Sequence, residues 1–357
     1  MAQEAVARHD LRGGLPSRCA YWTLPTFSDV SDLRLDPLTG RWVVIAGERA
    51  QRPSDFLPRR LPVEDDPMRP CPFCPSTPPA LPPIMELGRP DGRWQVRVLP
   101  NLYPAFSGSE PMVVSHLGPL FTEAPASGAH EVIVLSDRHD VSWADLSPDE
   151  AALITAAIKQ RMLEHSASPG LRYSQAVVNS GREAGASVEH PHGQLLSTPF
   201  IPGEAAHELA GFARFQGNCL LCAAIDAEEE AGVRIVHADD AVMTIAPFWS
   251  GTPYEMLLVP RRHETHLHDA TDDDLGSVAA SVARALSALR SSVGDVAYNL
   301  MFHSAPFRTR SEFHWHVHVV PKISTRGGFE MGSGVLINVT PPERATLDLR
   351  SAIAANA

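Results

Sequence analysis

No apolar run in the 357-residue sequence approaches the roughly 18 residues that a helix needs to span a bilayer. Met1 to Cys19 carries scattered charge and lacks the apolar stretch of about 7 to 15 residues that a secretory signal requires. Basic residues are also in deficit, with 30 Lys and Arg against 42 Asp and Glu for a formal net charge of -12. Non-specific nucleic-acid binding draws most of its affinity from neutralising phosphates with Lys and Arg, so no nucleic-acid partner is expected and phosphate recognition must be local. These absences describe a globular protein, expected in the cytoplasm and with no membrane partner. Residues 1–25 are expected to be a disordered tail.

Cysteine is scarce as well, but its placement is informative. Four of the five cysteines form two Cys-x-x-Cys pairs, Cys71/Cys74 and Cys219/Cys222, and only Cys19 is left over. Without a signal peptide, that pattern favours metal binding over a disulfide framework. A thioredoxin-like redox role is the rival for either pair alone.

The chain contains itself twice. The run from His130 to His139 matches Tyr254 to His263 at an offset of 124 residues, and the offset persists without a gap. Asn179-Ser180 falls on His303-Ser304, Ser187 on Ser311, and His190-Pro191-His192 on His314-Trp315-His316. Gapless agreement over about 65 positions makes accident a poor explanation. The Cys pairs lie 148 apart, so the first half holds 24 extra residues between its Cys pair and its first repeated histidine. The Pro-rich segment from Arg52 to Pro90 is where much of that excess is expected, as an extended arm or loop.

Residues 148–166 have helical spacing with a Pro in the first turn, and residues 272–290 repeat the pattern after an acidic start. Gln175 to Val178, Tyr298 to Phe302, Gly193 to Thr198 and Val317 to Val320 read as strands. The expected fold class is α+β, two tandem halves, each an antiparallel sheet with packed helices. The expected domains are residues 26–205 and 206–357, with a boundary near Pro202 to Gly217.

The repeat assigns metal ligands. Each half combines a Cys pair with two histidines 51 residues apart: Cys71, Cys74, His139 and His190, then Cys219, Cys222, His263 and His314. Thiolate sulfur and imidazole nitrogen in tetrahedral geometry suit zinc, and four protein ligands make such sites structural. A competing set in the second half, Glu208, His303, His316 and His318, could instead hold the second metal, as iron or zinc. Its rival reading is a row of strand histidines with no ligand role.

The chemistry falls on His190-Pro191-His192-Gly193-Gln194. Alternate residues of a strand share a face, about 6 to 7 Å apart along it. With His190 fixed by metal, His192 can present an imidazole nitrogen to phosphorus, and the resulting phosphoramidate can pass the group onward. Gln194 can donate its amide to a phosphate oxygen, with Ser187 and Asn179 as further neutral donors. Arg49 and Arg52 are the cations expected near a diphosphate. A pair of satisfied core histidines would also explain the run taken alone.

At these residues the sequence resembles the galactose-1-phosphate uridylyltransferases of the histidine-triad superfamily, whose His-Pro-His-Gly-Gln signature His190 to Gln194 matches. The likeness extends from Arg41 to Ala46 with Arg49 and Arg52, through Cys71-Pro72-Phe73-Cys74, Pro100 to Pro104 and the Asn179 to Ser187 loop, to Gly328-Phe329-Glu330. It implies two histidine-triad-like halves, usually in a homodimer, with His192 as nucleophile. Gln194 and Ser187 would contact the transferred phosphate, Asn101 and Asn179 the nucleotide, and Glu330 the sugar hydroxyls. The implied reaction moves UMP from UDP-glucose to galactose 1-phosphate, a ping-pong exchange with UDP-galactose as product. The ADP-glucose phosphorylases are similar too, in Cys219/Cys222, Pro260 with His263, His314-Trp315 and Gly327 to Glu330. That branch commonly has Ser where this chain has Gly193. The uridylyltransferase lysine upstream of the sugar-reading glutamate is not matched in register, although Lys322 and Arg326 are near. The acceptor is therefore open between a sugar 1-phosphate and inorganic phosphate. A nucleotide hydrolase and a zinc-stabilised scaffold are the readings from other classes.

Overall fold

The structure is a computed structural model that describes residues 31–48, 60, 61, 63, 70–88, 91–310 and 312–356. The expected N-terminal tail, Cys19, Arg49, Arg52 and Ser311 lie outside the described residues. The first half contains β1 (Asp32–Leu35), β2 (Trp42–Ile45), β3 (Met85–Gly88), β4 (Trp94–Pro100), β5 (Ser115–Leu117), β6 (Phe121–Glu123) and β7 (Ala129–Val134). It continues with α1 (Pro148–Ser166), β8 (Tyr173–Ser180) and β9 (His192–Thr198). Then follow α2 (Gly203–Arg214), α3 (Leu220–Ala231), β10 (Ile235–Ala238), β11 (Val242–Ile245), β12 (Met256–Pro260) and α4 (Asp272–Val293). The chain closes with β13 (Tyr298–His303), β14 (His316–Pro321), α5 (Gly328–Ser333), β15 (Leu336–Asn338) and α6 (Pro342–Asn356).

The α+β expectation holds, and the two half-sheets are fused. One antiparallel sheet runs β10-β11-β12-β14-β13-β8-β9-β7-β4-β3. The seam is β13 against β8, where Met301 pairs with Val177, its own counterpart at the 124-residue offset. The internal repeat is thus a pseudo-twofold axis through the middle of the sheet. The antiparallel register gives the two faces different tasks. Ile133, Leu195, Phe302 and Val317 point to the side where α1 and α4 supply Ile154, Ile158, Leu275 and Val282, all in one buried cluster. His192, Gln194, Asn179, His303, His316 and His318 alternate onto the opposite side.

Local chemistry explains the helices read from the sequence. Ser147 caps α1 by accepting the Glu150 N–H, while the Glu150 carboxylate accepts the Ser147 N–H, and Pro148 opens the first turn. Thr271 accepts the Asp274 N–H at the start of α4, where three aspartates complement the helix dipole. On the helical side, Arg161 of α1 forks onto the buried Glu131 carboxylate at 2.6 and 2.9 Å, and His165 bonds both Glu131 and Ser197. This network ties α1 to the strands that carry the histidine motif.

The segment from Pro202 to Gly217, where the sequence suggests a boundary, holds α2, whose Glu208 and Phe212 are buried. Its glycines mask the helical spacing, and Gly211 is needed because a Cβ there would lie 1.9 Å from the Leu38 carbonyl oxygen. One expectation is corrected: the extra length of the first half is not chiefly in the Pro-rich segment. Residues 101–128, with the β5–β6 hairpin, join β4 to β7, whereas residues 246–255 alone join the corresponding β11 and β12. Among the described residues no helix is long and apolar enough to cross a membrane.

Candidate active site

In the first half, Cys71, Cys74, His139 and His190 converge, with their ligand atoms all within 4.8 Å of one another. The Cys74 Sγ lies 3.4 Å from His139 Nδ1 and 3.6 Å from His190 Nδ1. A tetrahedral ion with bonds of about 2.3 Å to sulfur and about 2.0 to 2.1 Å to nitrogen leaves S···N separations of about 3.6 Å. The donor set therefore fits a metal ion. His190 Nε2 is 2.8 Å from the Ser136 carbonyl oxygen, which places the ring proton there and the lone pair on Nδ1.

Two residues on, His192 is 6% exposed at the start of β9. Its Nδ1 donates to the His190 carbonyl oxygen at 2.9 Å, so in the neutral ring the lone pair is on Nε2. Burial pushes the His192 pKa below its ordinary value of 6.5, against the opposing effect of that hydrogen bond. An imidazole that stays neutral near pH 7 is a nucleophile in waiting. Gly193 passes between strands, where a Cβ would meet the Val177 carbonyl oxygen at 2.8 Å. The Phe73 ring, from the first Cys pair, packs 5.3 Å from that of His192.

Two cavities meet at His192. One, of about 280 Å³, is lined by Asn101, Ser187, Gln194 and His192 among apolar neighbours that include Phe73 and Leu102. An apolar cleft with a few convergent amides and a hydroxyl suits a nucleoside and its phosphate. The other, of about 450 Å³, is polar and is lined by Asn179, Arg60, Glu189 and Arg290 with His192. Asn179 Oδ1 accepts from Asn299 Nδ2 at 2.7 Å, which turns the Asn179 N–H groups outward. Glu330 lines neither cavity. Its carboxylate accepts the N–H groups of Gly327 at 2.8 Å and Ile337 at 3.1 Å, at the start of α5.

The second half assembles both of its candidate clusters at once, which corrects the expectation that they compete. Cys219, Cys222, His263 and His314 converge, with three S···N separations of 3.5 to 3.6 Å. Burial, together with the neighbouring Cys219, pushes the Cys222 thiol up to about 12, a shift that a bound cation would reverse by favouring the thiolate. Glu208, His303, His316 and His318 form a separate group. The Nε2 atoms of His303, His316 and His318 are buried with no hydrogen-bond partner among the described residues. Burial acts to raise the Glu208 carboxyl, but His303, His316 and His318 overcome it and hold the group down to about 2. Three unpartnered ring nitrogens and a carboxylate fit a second kind of ion site, in nitrogen and oxygen. His316 repeats the His192 backbone bond, donating from Nδ1 to the His314 carbonyl oxygen at 2.8 Å, but its Nε2 faces this cluster.

Sequence reading missed the role of His130, which bonds Gln194. Strand parity could have found it, because His130 and Gln194 alternate onto one face of neighbouring strands.

Comparison with known proteins agrees with this geometry. The family model for the galactose-1-phosphate uridyl transferase N-terminal domain matches residues 24–202, and that for the C-terminal domain matches residues 205–336. The chain is 30% identical to an ADP-glucose phosphorylase of Arabidopsis thaliana over 87% of this chain and 90% of that protein. It is 25% identical to a galactose-1-phosphate uridylyltransferase of Thermotoga maritima over 89% and 98%. The crystal structure of an Arabidopsis thaliana ADP-glucose phosphorylase with bound ADP-glucose is similar at a TM-score of 0.77, with 28% identity and 90% and 98% coverage. A uridylyltransferase structure is similar at 0.71, with 26% identity and 92% and 99% coverage. The chain belongs to the galactose-1-phosphate uridyl transferase family.

Proposed function

We propose that the protein is a nucleotidyltransferase that moves UMP from UDP-glucose to galactose 1-phosphate through a covalent nucleotidyl-His192 intermediate. The observation that carries this reading is the His192 Nδ1 bond to the His190 carbonyl oxygen, which leaves Nε2 as the free lone pair beside two cavities. Nε2 attacks the phosphorus bonded to the nucleoside, the phosphorus–oxygen bond to the sugar phosphate breaks, and glucose 1-phosphate leaves. An oxygen of galactose 1-phosphate then attacks the same phosphorus, the nitrogen–phosphorus bond breaks, and His192 is restored. Gln194 and Ser187 would donate to the phosphate oxygens as charge develops. Asn101 and Asn179 would hold the nucleotide, with Arg49 and Arg52 at the diphosphate. Glu330, outside both cavities of its own chain, supports a sugar pocket completed by a second copy in a dimer.

Zinc is the proposed ion for both Cys-containing groups, where bound metal supplies rigidity rather than an open coordination position. Iron or zinc is proposed for Glu208, His303, His316 and His318. A cytoplasmic location is part of the same reading.

A second reading, adenylyl transfer from ADP-glucose to inorganic phosphate, is favoured by the likeness to the Arabidopsis thaliana ADP-glucose phosphorylase. Product analysis separates the two. UDP-glucose with galactose 1-phosphate is expected to give UDP-galactose and glucose 1-phosphate. ADP and glucose 1-phosphate, formed only from ADP-glucose with phosphate, would establish the second reading instead.

A further inference from the structure

We propose that His130 is a positioning residue that fixes which end of the Gln194 amide faces the transferred phosphate. The inference rests on the reading of Gln194 as a phosphate donor. A primary amide can turn either its oxygen or its N–H groups toward a ligand, and only the second orientation stabilises a phosphate oxygen. Something must therefore hold the flip.

The backbone supplies the first constraint. The Ala105 N–H donates to His130 Nδ1 at 3.0 Å. A nitrogen that accepts carries no proton, so the ring's single N–H is on Nε2. That Nε2 lies 2.8 Å from Gln194 Oε1, so it donates to the amide oxygen. The Gln194 N–H groups are then turned away from His130, in a residue that lines the cavity with His192, Ser187 and Asn101. Asn101 Nδ2 also lies 3.0 Å from His130 Nε2, but Asn101 Oδ1 already accepts the Tyr103 N–H at 2.8 Å. Asn101 thus offers only N–H groups toward His130, and of the two amides it is Gln194 that accepts the proton.

Sheet register makes this contact possible. His130 is opposite Leu196 and Gln194 is opposite Val132, so both side chains stand on the His192 face, one step apart along the strands. Ala105 and Tyr103 belong to the 101–128 connection, which in the second half is shortened to residues 246–255. The repeat counterparts of His130 and Gln194 are Tyr254 and His318, and Tyr254 instead donates its hydroxyl to Asp348 at 2.8 Å. The relay from backbone to imidazole to amide is confined to the half with the proposed nucleophile.

The test is a double-mutant cycle read by single-turnover formation of the nucleotidyl-enzyme and by the split between kcat and KM. Metal content and Tm serve as folding controls. His130→Ala is expected to slow the step about tenfold with KM changed by less than about threefold, because a misaligned donor is lost mainly in the transition state. His130→Gln, whose amide N–H can reach Gln194 as the ring does, should return to within about threefold of the parent. In a Gln194→Ala background, His130→Ala should cost less than about twofold, since residues acting through one another are not additive. Full additivity, or a His130→Gln variant as slow as His130→Ala, overturns the proposal and leaves Gln194 as a phosphate donor intact. A Gln194→Ala variant with unchanged rate overturns both.

Discussion

His192→Ala is expected to lower nucleotidyl transfer on the order of 10⁴-fold or more while leaving metal content unchanged. The size of the loss follows from the removal of a nucleophile: the remaining donors still bind phosphate but have no atom to carry it between two half-reactions. Metal content should hold because the proposed ligands of the first cluster are Cys71, Cys74, His139 and His190, and His192 is not among them. Stability should fall modestly, as a buried ring against Phe73 is replaced by a methyl group. Steady-state rates, metal analysis and a thermal melt on one preparation check all three. Loss of metal in step with activity would show that the division of labour between His190 and His192 is wrong.

Cys71→Ser or His139→Ala should remove one equivalent of metal and destabilise the fold together. A structural zinc contributes its binding free energy to folding, about 10 to 16 kcal/mol in small zinc-binding peptides, and part of that is lost with one ligand. Here the loss would be felt at β9, because the proposed ligand His190 is also the residue whose carbonyl accepts the His192 Nδ1 proton. Activity is expected to drop as a consequence, with the thermal midpoint falling in parallel with zinc content. A variant that is zinc-depleted at this site yet equally stable and active would remove the structural role from the first cluster.

Much of this was legible in the sequence, and the exceptions have physical causes. α1 starts at the Pro148 read as its first turn, because Ser147, Pro148 and Glu150 form a complete set of start signals. The 124-residue repeat was readable from matching apolar runs and coincident histidines, and the pairing of Val177 with Met301 is its three-dimensional form. α2 was not read from the sequence, since Pro202, Gly203, Gly211 and Gly217 interrupt the helical spacing, and only the close approach of Leu38 explains Gly211. The coexistence of two clusters in the second half was also hidden. His314 precedes β14 and turns to the cysteines, while His316 and His318 lie on the strand and turn to Glu208. Sequence spacing separates the two sets of ligands but does not show that both can assemble in one fold. The place of residues 101–128 was missed because proline density drew the excess length elsewhere, although that insertion carries Asn101 and holds His130.

The central claim is that one histidine per chain carries the nucleotidyl group, and locating a trapped adduct tests it most directly. UDP-glucose labelled in the phosphate next to the nucleoside would be mixed with enzyme in the absence of acceptor, quenched in base to preserve the phosphoramidate, and the labelled peptide identified. The label is predicted on His192 alone, at no more than one per chain, and absent from His192→Ala. Label on His316, or rapid exchange between nucleotide sugar and sugar phosphate with no labelled histidine, would contradict the account.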